Sequence, residues 1–145
     1  MSTTPNPLPY AMQRLVFVAL LGGMAMFAIV VFVVLRGNGG KGVSEPAVPA
    51  LDTAAIAVGA AAALGAFTLR GTLRRLAATA TGAARTHATF RAVLVPLAML
   101  EGGCMFGLVV WLLNGDPMPG ALVGGALFAI AVWIVPFTDP DAGAP

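Results

Sequence analysis

One carboxylate, Glu101, stands alone near the middle of the apolar run Arg91–Leu113, RAVLVPLAMLEGGCMFGLVVWLL. A helix rises about 1.5 Å per residue, so Glu101 lies roughly 15 Å along the axis from Arg91, near the midplane of a bilayer. An ionised carboxylate at that depth costs on the order of 3 kcal/mol even on mild insertion scales. The position therefore calls for a proton, a partner or a function. Two chemistries are open to a single acid here. It can bind and release a proton, or it can stay protonated and donate one hydrogen bond that ties two helices together.

The residues around Glu101 fit either use. Pro96, one turn earlier, cannot donate to the helix ladder and frees a carbonyl. Gly102 and Gly103 allow a second backbone to approach closely, as small residues do between membrane helices. The natural partner is the Ala-rich stretch AAIAVGAAAALGAF, in which Ala55, Gly59 and Ala63 recur at four-residue spacing. Pro96, Gly102, Gly103, Gly59 and Ala63 are thus the candidate helix-contact residues, and Glu101 the candidate ion-binding residue.

No other residue supplies a second chemistry. His87 has no second His, Cys or acid at ligand spacing, so no metal site is expected. Cys104 is the single cysteine; it excludes an intrachain disulfide and reads as a small apolar filler. Met24, Met26, Met99 and Met105 read as packing residues, and Trp111 and Trp133 as interfacial anchors near span ends. Paired carboxylates, a nucleophile with its base, a phosphate loop and a haem-ligating histidine pair are all missing from the sequence. A non-enzymatic protein with no cofactor is expected.

The elements that must position Glu101 are membrane helices. Of the 145 residues 59% are apolar and 10% charged, against about 25% charged in soluble domains. Four stretches approach the roughly 20 residues that a spanning helix needs: Leu15–Leu35, Thr53–Leu69, Arg91–Leu113 and Pro117–Pro136. The second is mostly alanine and belongs inside a bundle. Asp52 is placed to cap it, and Asp116-Pro117 reads as an N-cap with proline at the first helical position. Gly37, Asn38, Gly39 and Gly40 stop the first. The expected organisation is an all-α, four-span membrane domain over residues 13–137, between a flexible tail at 1–12 and another at 138–145. The first apolar run is too long for a signal-peptide core and lacks a small-residue cleavage site, so it reads as a span.

Orientation follows from the arginines. Arg70, Arg74, Arg75, Arg85 and Arg91 crowd the connection between spans two and three, which holds no acid. The positive-inside rule makes that connection a longer cytoplasmic loop, with a short basic surface helix at Gly71–Ala78. Both termini then lie inside, in an inner (plasma) membrane. The connections Gly37–Asp52 and Asn114–Asp116 lie outside, where Glu45 and Asp52 partly offset Arg36 and Lys41. Orientation suffices to explain the arginines, although such a cluster also suits anionic lipid. Nothing indicates nucleic acid, and the expected partners are membrane lipid, other membrane subunits or further copies of the chain.

Spans one and three resemble each other without gaps. VALLGGMAMFAIVVFVV, from Val18, lies over LAMLEGGCMFGLVVWLL, from Leu97. Ala19 matches Ala98, Leu21 matches Leu100, Gly23 matches Gly102, and Met26-Phe27 matches Met105-Phe106. The pattern reads as a duplicated two-helix hairpin, spans one–two and three–four, in which Gly22 holds the place of Glu101.

The third span also resembles the carboxyl-bearing helix of the c-type proteolipid subunits of rotary ATPases. In that pattern Glu101 falls on the proton- or sodium-binding acid, Phe106 on an aromatic, and Gly107-Leu108-Val109 on the tripeptide that follows. Span two is similar by composition only; it lacks alternate glycines, and its connection lacks an Arg-Gln-Pro signature. The chain is similar too to small four-span bacterial membrane proteins with an acid in their third helix. The resemblance implies a proteolipid-like subunit in which Glu101 binds and releases a proton. The residues by themselves point first to an interaction or assembly subunit of a larger membrane complex.

Overall fold

A computed structural model describes residues 10–44 and 48–136 of the chain. They form four helices: α1 (Tyr10–Gly37), α2 (Pro49–Thr79), α3 (Gly82–Asn114) and α4 (Gly120–Ile134). The described residues hold no strand. The first three helices are long and apolar enough to cross a membrane, whereas α4 has 15 residues. The tail expected at 1–12 lies outside the described residues except for 10–12, which open α1; Glu45 and the tail at 138–145 lie outside them too.

α3 is the centre of the bundle. Half (50%) of its apolar window is buried inside the protein, against 17% for α1 and for α2. It packs along α2, α4 and α1, in decreasing order of extent. α1 runs parallel to it: Phe17 meets Phe90 with ring centroids 5.6 Å apart, and Val43, after α1, donates to the carbonyl of Leu112 at 3.0 Å. α2 and α4 run antiparallel to α3. Met24, Leu97, Leu100, Cys104, Leu108, Leu127 and Ala131 lie in the core between them.

The basic connection is helical except for a two-residue turn, which corrects the expected long loop. α2 continues to Thr79 and α3 begins at Gly82, leaving Ala80 and Thr81 as the turn. The physical reason lies in the composition of RGTLRRLAAT. Arg, Leu and Ala are strong helix formers, and Gly71 alone does not outweigh them. Gly82, with φ +56°, supplies the left-handed residue that reverses the chain. The expected surface helix at Gly71–Ala78 is thus the last part of α2.

Both expected caps also move. α2 starts at Pro49, with proline in its first turn as the rigid φ allows. Asp52 therefore sits inside the first turn, where it accepts a hydrogen bond from Asn114 Nδ2 at 2.9 Å. Asp116 Oδ1 accepts from the Met118 amide at 2.9 Å, but α4 begins only at Gly120. A second proline, Pro119, disfavours the helical conformation at Met118 and delays the start. α3 ends where Gly115 takes φ +77° and its amide bonds the Trp111 carbonyl at 2.8 Å.

The hairpin repeat has no counterpart in the packing. α3 and α4 are in extensive contact, whereas α1 and α2 do not touch among the described residues. The likeness of spans one and three is instead a likeness of two parallel neighbours.

Candidate functional site

Glu101 is half-buried on α3, on the side that meets α1. A methyl group built on Gly23 of α1 would lie 3.9 Å from Glu101 Oε1, an ordinary van der Waals distance. Among the described residues Glu101 makes no hydrogen bond and no ion pair. The carboxyl therefore rests against a bare stretch of α1 backbone that gives it space and no polar partner. Cys104, one turn on, is buried in the core.

The flanking residues divide. Gly103 is buried; a Cβ there would stand 2.7 Å from Ala62 Cβ and 2.8 Å from Leu127 Cδ1, so it marks the close contact with α2 and α4. Gly102 faces open space, as does Gly22 beside Gly23 on α1. Pro96 is fully buried inside α3, which remains helical through it. Gly59 is buried against Val123 of α4, where a side chain would collide. Ala63 is half-buried at the edge of the core.

The buried face of α2 follows Ala55, Gly59, Ala62 and Ala66 rather than a strict four-residue spacing. A helix turns 3.6 residues at a time, so a contact line alternates steps of four and three. That drift moves the Gly103 contact from Ala63 to Ala62.

A second close seam joins α3 to α4. A Cβ on Gly107 would lie 2.8 Å from the Gly120 carbonyl oxygen, and one on Gly120 would lie 2.6 Å from that of Gly107. A Cβ on Gly124 would lie 3.3 Å from the Cys104 carbonyl oxygen, tight but less so. Gly107, the second glycine of Gly103-x-x-x-Gly107, faces the pair Gly120-x-x-x-Gly124, a readable signal for close membrane-helix packing that the sequence reading passed over.

Polar contacts gather at the two ends of the bundle. At one end Asn114 Oδ1 accepts from the Val48 amide at 3.1 Å while Nδ2 bonds Asp52, joining the ends of α3 and α2. Ser44 donates its amide to Leu113 at 2.9 Å, so the α1–α2 connection lies over the same end. At the other end Arg70 of α2 reaches α4. Its Nη2 donates to the Ile134 carbonyl at 3.4 Å, and its guanidinium lies 5.5 Å from the Trp133 ring centre. Trp133 is 71% exposed, as an interfacial anchor is, but Trp111 packs beside Gly120 against the core. His87 Nε2 is buried without a hydrogen-bond partner. Among the described residues no three His, Cys, Asp or Glu side chains group to hold a metal.

No protein-family model matches the chain, and no curated protein or solved structure is significantly similar to it.

Proposed function

We propose that this chain is a small, non-enzymatic membrane subunit that assembles with other membrane subunits, or with copies of itself, through the face around Glu101. One observation carries the reading. A carboxyl lies in the middle of the most buried helix, half-exposed, and no group among the described residues satisfies it. An unsatisfied acid at that depth is costly, so a neighbour that accepts or donates a hydrogen bond is strongly favoured. Gly102, next to it in the chain, and Gly22, next to Gly23 on α1, both border open space, where a partner helix has room to approach.

The same observation favours a second reading, that Glu101 binds and releases a proton as the proteolipid resemblance implies. A carboxyl without internal hydrogen bonds has no fixed protonation partner, and its half-exposure gives a proton a way in. Paired variants separate the two. Glu101→Gln keeps a donor and an acceptor but carries no proton; Glu101→Leu keeps neither. Assembly predicts that partners crosslink to and co-purify with the Gln variant and are lost from the Leu variant. Loss of a proton-coupled activity in the Gln variant, with all partners retained, establishes the second reading.

We also infer a four-span topology with both termini on the cytoplasmic side of the inner membrane. α4 is short, but its ends lie level with distant points of α3: Gly120 beside Gly107 and Trp111, and Pro136 beside Ala92 and Val93. The α3 segment from Val93 to Trp111 is about 27 Å long at 1.5 Å per residue, close to a hydrocarbon core of about 30 Å. The arginine-bearing turn between α2 and α3 is the cytoplasmic end in this topology.

A further inference from the structure

The arginine end carries a cleft of about 310 Å³ between the last turns of α2, the first turns of α3 and the end of α4. Arg74, Arg85 and Thr89 line it, over a floor that includes Ala77, Ala92 and Pro136. Neither guanidinium has a hydrogen-bond or ion-pair partner among the described residues. The sequence from Thr53 to Leu100 contains five arginines and no carboxylate, and the one acid of α2, Asp52, lies in its first turn at the opposite end, bonded to Asn114. Thr89 already donates its hydroxyl to the Arg85 carbonyl at 2.8 Å, so the side-chain donors left to a guest among the lining residues are the two guanidinium groups.

We propose that this cleft holds the phosphate of one anionic lipid headgroup. Two arginines lining one cleft from different helices suit a phosphate, which arginine grips through paired N–H bonds. A volume near the lower end of small-molecule sites suits a headgroup and excludes a whole lipid. The height is right as well. Exposed Trp133 with Arg70 over it marks the water–hydrocarbon boundary, and Arg74 lies one helical turn, about 6 Å, further out. That is headgroup depth, and the apolar floor leads back toward the acyl region. The proposal rests on the chain spanning a membrane and not on the reading of Glu101.

Native mass spectrometry of the full chain in mild detergent, titrated with phosphatidylglycerol or phosphatidylcholine, tests it. One phosphatidylglycerol per chain is expected to bind in preference to phosphatidylcholine. A basic residue near anionic lipid contributes about five-fold, so R74Q/R85Q should lower that affinity about 25-fold, to the phosphatidylcholine level. R74K/R85K, which keeps charge without the forks, should fall in between, with helicity checked by circular dichroism. R36Q, which removes one positive charge at the opposite end, and E101Q should leave the affinity unchanged. Equal binding of the two lipids, undiminished binding by R74Q/R85Q, or an equal loss in R36Q overturns the site. Inorganic phosphate that binds with the same arginine dependence and displaces the lipid makes it a free-anion site and overturns the lipid assignment.

Discussion

Glu101 draws its importance from what does not touch it. Across the α1–α3 contact it lies against Gly23, which offers no side chain, and no hydrogen bond within the described residues reaches it. On the proposed assembly, a partner covers the acid in the complex and leaves it facing lipid in the dissociated chain. A hydrophobic carbodiimide should therefore modify Glu101 in chain dissociated by harsh detergent and spare it in the gently extracted assembly, as read by peptide mass. Equal modification in both states would contradict the assembly reading. The sequence singled out this residue because a lone acid in an apolar run is conspicuous whatever surrounds it. The facing residue was not legible, since α2 and α1 both present small residues and only packing decides which faces the acid. Gly103 meets α2 as its small size implies, while Gly102, its neighbour in the chain, meets nothing.

Between helices, the closest contacts are backbone against backbone at Gly107 and Gly120. A substitution there presses on a carbonyl that cannot rotate away, so G107V or G120V should destabilise the bundle by about 1–3 kcal/mol. G102A and G22A meet open space and should cost nothing measurable in the same detergent-unfolding assay. If all four variants behaved alike, the α3–α4 seam described here would be wrong. Asn114 joins α3 to Val48 and Asp52 across more than sixty residues of chain. N114A should cost about 1 kcal/mol and raise amide exchange at Val48, while N114D should keep only part of the contact. The seam was legible in its Gly-x-x-x-Gly pairs; the Asn114 contact was not, because a long-range side-chain bond leaves no local pattern. The extension of α2 and α3 past the charged boundary was hidden for another reason. Arginine serves equally well in a surface loop and in a projecting helix, and helix propensity decided the outcome.

At the scale of the whole molecule, the bundle is three long helices with α3 at the centre and a shorter α4 against it. Composition alone made the membrane class legible, since a chain with 10% charged residues has few other solutions. The likeness of spans one and three falls on two parallel helices and does not fix how each packs against its successor. For the proposed topology, single cysteines in a C104A background should label from opposite sides: N38C from outside, T81C from the cytoplasm. Labelling of both from one side would reject it. The assembly itself is tested most directly by the mass of the protein extracted gently with its surrounding membrane. The account predicts a particle holding either several copies of the 14.6 kDa chain or the chain with defined larger subunits, reproduced by E101Q and lost in E101L. A single 14.6 kDa chain accompanied only by lipid, in wild type and both variants alike, would contradict it.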